Sequence, residues 1–193
     1  MQPFSYSPRN LVVVDVAYLN GIIGDFKHSF ERMLGRALPD MDLVTLLTCV
    51  AMDAGLQAGN EGVDVVFVAS PDGAALDHCS PSRIRDELDG KACASAVGEM
   101  SFMLATTEGF ASAGGLCGEV ALAVAGLDAL RRLVMVVGDE SFDPAALKQE
   151  GRKQPLEVVR FVMGEAEAHE GWRTETLAFP MLKAFGVRGE ELS

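Results

Sequence analysis

Leu133 to Pro144, LVMVVGDESFDP, is the stretch that decides the fold. Five apolar residues, three of them β-branched, run into Gly138-Asp139-Glu140 and then into Asp143-Pro144, which can open a helix. The pattern predicts a buried strand that delivers a carboxylate at its carboxyl end. In an open α/β sheet that end is where ligands and metals are held, so Asp139 is a candidate for chemistry. A second reading of the same residues is equally simple: Gly138-Asp139 is a strand-to-helix turn whose side-chain oxygen caps the next helix.

Working outward, similar runs recur. Asn10 to Val16, NLVVVDV, reads as a central parallel strand with Asp15 near its carboxyl end, where a charge is costly unless it sits at the strand tip, paired or on a metal. Tyr18 to Gly21 reads as a turn, and Ile22 to Leu34 as a helix with Phe26, Phe30, Met33 and Leu34 on one stripe. Pro39-Asp40 opens another helix, with Asp40 or Asp42 at its start and Leu43, Leu46, Leu47 and Val50 inward. Val63 to Ser70 and Ser101 to Thr107 are further strands, with a short helix over Pro81 to Leu88 between them. Glu119 to Leu130 has helix-forming composition, with Val120, Val124, Leu127 and Leu130 expected inside. The glycine-rich Ser112 to Gly118 before it fits neither a G-x-G-x-x-G nor a Walker spacing. Beyond Pro144 to Glu150, a helix, come a strand over Leu156 to Met163, an edge strand over Trp172 to Phe179 and a helix over Pro180 to Phe185.

Strands alternating with helices predict a single α/β domain spanning 1–193: three layers, Rossmann-like, with a mostly parallel sheet, a core over about 10–163 and a C-terminal extension over 164–193. Right-handed crossovers would gather Asp15, Asp72, Glu108 and Asp139 on one rim, with Glu119 facing it from the start of its helix. Carboxylates crowded on a rim repel, and a divalent cation or raised pKa values would relieve them.

Composition narrows the functions. The 193 residues are 49% hydrophobic, enough for strands buried on both faces. Cys49, Cys79, Cys93 and Cys117 form no C-x-x-C pair, which indicates neither a zinc site nor a disulfide framework and fits reduced thiols in a cytoplasmic protein. No apolar run is long enough to span a bilayer. The net charge of -12 disfavours RNA or DNA binding through phosphate neutralisation. Lys27, Arg32, Arg36, Arg83, Arg85 and Lys91 make no basic groove.

Three short segments carry a family resemblance. GEVALAVAGL, LVMVVGDESFDPAAL and LVVVDVAYLNG resemble segments of NYN domains, the LabA-like branch of the PIN-like nuclease superfamily. The resemblance covers roughly Asn10 to Met163 in element order. It implies a metal-dependent acidic centre that hydrolyses RNA, with Asp15, Glu119 and Asp139 as catalytic residues and ligands of Mg²⁺ or Mn²⁺. Phe142 and Pro144 match the structural end of the G-D-x-D-F-x-P pattern.

The departures weigh as much. Ser141 replaces the second aspartate of that pattern, Ala125 stands where the helix should carry another acid, and Tyr18 occupies the usual asparagine position, with Asn20 two residues late. Asp128 lies nine positions after Glu119, on the opposite helix face at 100° per residue, and cannot substitute. Two functions follow. One is a PIN-like domain with weak or no catalysis that binds a protein partner or a small ligand through its acidic rim, with self-association through an exposed Trp172 to Phe179 edge also expected. The other is a Mg/Mn-dependent ribonuclease using Asp15, Glu119 and Asp139.

Overall fold

The computed structural model describes residues 8–59, 61–108, 112–138, 146–147, 152–165 and 171–192. Its centre is β1 (Asn10–Asp15), in which all six residues are buried. On one side β1 pairs in parallel with β3 (Val63–Ala69), and β3 with β6 (Gly98–Thr106). On the other side it pairs with β7 (Arg132–Val136), followed by β8 (Glu157–Val162) and β9 (Arg173–Thr176), all parallel. The seven-stranded order is β5-β6-β3-β1-β7-β8-β9, where β5 (Ala92–Ser95) is the single antiparallel strand. A two-residue ladder of β2 (Met41–Asp42) and β4 (Cys79–Ser80) lies apart from this sheet.

Period-two alternation sends the side chains of each strand to two cores. Val12, Val14, Phe67 and Phe161 face one layer, formed by α1 (Val16–Leu34), α2 (Leu43–Asp53) and α5 (Ala178–Ala184). Leu11, Val13, Val68 and Leu133 face the other, where α4 (Ala113–Ala125) lies across β1 and β3. This is the expected three-layer α/β architecture with a mostly parallel sheet. Residues after 163 are part of it: β9 extends the sheet from β8, and Leu177, Met181 and Phe185 are buried in the core. The edge strand expected within Trp172 to Phe179 is β9.

Two local expectations are corrected. Tyr18 to Gly21 does not turn the chain, because α1 begins at Val16, directly on the end of β1. Gly21 and Gly24 ride inside that helix, each costing about 1 kcal/mol relative to alanine. The N-terminus of α4 is the second. The helix expected over Glu119 to Leu130 runs from Ala113 to Ala125, so the glycine-rich run forms its first turns, capped by Ser112, whose hydroxyl accepts from the Gly115 N–H at 3.1 Å. The short helix between β3 and β6 is α3 (Ile84–Glu87). Pro144 to Glu150 lies outside the described residues apart from Ala146 and Leu147.

Candidate functional site

The chain runs from β1 outward to β3 and β6, then crosses back through α4 to β7 on the other side of β1. The strand order therefore reverses between β1 and β7, and the carboxyl ends of those two strands define the crevice where this class of sheet holds ligands. Val14 is level with Val136, so Asp15 stands at the mouth of that crevice. Asp72 and Glu108, both exposed, follow β3 and β6 at the same edge.

Asp15 is 5% exposed, and its position has a local physical cause. With no loop between β1 and α1, Asp15 is both the last strand residue and the N-cap, and its Oδ1 accepts from the Tyr18 N–H at 3.1 Å. The positive end of a 19-residue helix stabilises the carboxylate there. Asn20 is engaged by Asp77. Its amide Nδ2 donates to Asp77 Oδ2 at 3.2 Å while its Oδ1 accepts from the Asp77 N–H at 2.9 Å. The turn after β3 is held by the Gly73 N–H donating to the Ser70 carbonyl, and a Cβ at Gly73 would stand 2.5 Å from the Ser70 hydroxyl.

Above Asp15, α4 presents Gly114, Cys117, Ala121, Val124 and Ala125 to the sheet. Val124 is inside as expected and Val120 is half-buried, but the main contact is made by small residues, because α4 lies close on β1 and β3. Cys117 is the helix residue that senses Asp15: burial first, and the Asp15 charge second, push its thiol up to about 12. Glu119 is exposed. At 100° per residue it points about 160° away from Ala121, toward solvent on the far side of α4. It is the seventh residue of the helix and does not face the strand tips. Ala125, the position where the resemblance asks for an acid, is buried against the sheet.

Asp139, together with Ser141, Phe142 and Pro144, lies outside the described residues. The described part of the expected centre is thus Asp15, engaged as a cap, and Glu119, on the opposite side of the helix. That donor set does not fit a shared cation. Among the described residues no three His, Cys, Asp or Glu side chains are grouped to hold a metal ion. Cys117 is the neighbour of Asp15 that sequence reasoning missed. Its signal was the spacing of small residues at 114, 117, 121 and 125, which marks the inner stripe as well as large apolar residues would.

The four cysteines are free, with Cys79 and Cys117 buried. The Cys79 thiol is also raised to about 12, by burial and then by the charges of Asp40 and Asp77. No helix among the described residues is long and apolar enough to cross a membrane. Comparison with curated proteins and with solved structures finds no match to the chain. A family profile does match, over residues 6–192, and the chain belongs to that family, a family of unknown function (DUF6621).

Proposed function

We propose that this chain is a divergent PIN-like binding or regulatory module, with weak or no catalysis, that works through the acidic rim at the carboxyl ends of its sheet. The supporting observation is the divergence of its acids: Asp15 is taken up as the N-cap of α1, and Glu119 is turned to solvent on the outer face of α4. A charge of -12 points the same way, since it repels a polyanionic substrate and favours a protein partner or a ligand without phosphates. The free thiols fit a reducing, cytoplasmic setting.

The ribonuclease reading rests on Asp15, Glu119 and Asp139 acting together with Mg²⁺ or Mn²⁺. Thermal melts with and without Mn²⁺, run on the natural chain and on Asp15→Asn and Asp139→Asn, separate the two. The module predicts no cation-dependent rise and no cleavage of single-stranded RNA. A rise lost in both variants, with RNA cleavage that follows it, overturns the module and establishes the nuclease.

A further inference from the structure

Away from the rim, α1 and α5 leave an apolar groove of 460 Å³ floored by Ile22, Phe26 and Phe30 and walled by Met163 and Ala178. Phe26 is fixed there by stacking on Phe30 at 4.2 Å and on Phe185 at 5.9 Å. The exposed apolar stripe of α1 continues past the groove. Met33, eleven residues after Ile22, returns to the same side of α1 within about 20° after roughly 16 Å of helix, and it is 60% exposed.

Three features identify the occupant. The apolar stripe that starts in the groove runs along α1 for about three turns, which suits a helix laid against it better than a compact small molecule. Its exposed walls include methionines, whose unbranched thioethers adapt to another side-chain surface. Both lips are acidic: Asp25 lines one and exposed Glu165 directly follows Gly164 on the other; among the described residues neither makes an ion pair, and no lysine or arginine lines the groove. A second copy would bring the same -12 charge and the same unpaired carboxylates to those lips. We infer that this groove docks a basic amphipathic helix of a partner protein, apolar face on Ile22, Phe30, Met33 and Met163 and cationic flanks toward Asp25 and Glu165.

The test is independent of the metal melts. A fluorescein-labelled 18-residue Leu/Lys peptide with one apolar helical face is titrated with the full chain, beside a scrambled peptide of identical composition. The patterned peptide should bind more tightly. Met163→Lys should weaken it roughly tenfold, as loss of a central contact does. Leu122→Lys, the same charge change on the opposite layer of the fold, should leave it within about twofold, as expected for a site remote from the contact. Ser29→Arg, at an exposed lip, provides a second blocking variant should Met163→Lys melt early. Equal binding of the scrambled peptide, equal loss in Leu122→Lys, or no binding at about 100 µM, a very weak affinity, would overturn the inference. Sedimentation showing a dimer that Met163→Lys dissociates would overturn it too, by assigning the groove to a second copy.

Discussion

Asn20 and Asp77 hold each other by two hydrogen bonds, an amide N–H to a carboxylate at 3.2 Å and a backbone N–H to the amide oxygen at 2.9 Å. The pair ties the second turn of α1 to the segment that enters β4. Asn20→Ala should cost about 1 kcal/mol, the usual net worth of such bonds. Asn20→Asp should cost more than Asn20→Ala, because it sets a second carboxylate against Asp77. Urea unfolding of both variants checks the order.

Asp15 and Glu119 should behave oppositely under substitution. Asp15→Asn keeps an acceptor at the N-cap and should change stability little, whereas Asp15→Ala should cost about 1–2 kcal/mol. Glu119→Ala, on the outer face of α4, should stay within about 0.5 kcal/mol. Thermal melts of the three variants measure this, and a large loss in Glu119→Ala would show that its carboxylate has a partner.

The close seat of α4 is tested by size. Ala121→Leu adds three heavy atoms between α4 and the sheet and should destabilise by about 1–3 kcal/mol. Leu122→Ala, one residue along and half exposed, should be nearly silent by the same melt.

Acid dependence follows from carboxylates shifted in both directions. Glu31 is held below its usual pKa by the Leu38 N–H it accepts and by Lys27, Glu87 by the Arg83 and Ser82 N–H groups, and Glu191 by the Arg188 N–H and by Arg36. Such groups stabilise the fold above the unfolded carboxyl pKa and lose that contribution as pH falls through their lower folded values. Glu31→Gln should therefore weaken the protein at neutral pH, with the gap closing in acid. Asp64 has the reverse sign, since burial and then Glu99 raise it. Its folded pKa lies above the unfolded one, so Asp64→Asn should stabilise at pH 7 and lose that gain as pH falls to about 4, the unfolded value. Urea midpoints across this range read both curves.

Thiol labelling reports the same burial. Cys79 and Cys117, both buried with thiols near 12, should stay unlabelled at pH 8, while half-buried Cys49 and Cys93 react slowly. All four should label in denaturant.

The inner parallel strands are legible because they are runs of buried, largely β-branched residues between turn signals, as at Val63–Ala69 and Arg132–Val136. The antiparallel β5 was not, since A-C-A-S is short, small and only half-buried. Asparagine and glycine at 20 and 21 resemble a turn, yet Asp15 caps a helix there and Asn20 is engaged by a residue 57 positions away. The site was legible at Asp15, where a charge ending an apolar run marks a strand tip. It was misread at α4, because size was taken as the sign of the inner face, and a helix seated close to a sheet buries small residues instead.

The direct passage from β1 into α1 has a consequence for how this chain can tolerate change in length. One residue inserted between Asp15 and Val16 would turn everything after it by about 100°. Phe26 would swing off Phe185, and the Ile22 to Met33 stripe would leave its groove. The connection from β6 to α4, by contrast, is six residues long. The junction at Asp15 has none, so its length should be rigidly kept, and the strand tip and the groove inherit a common phase.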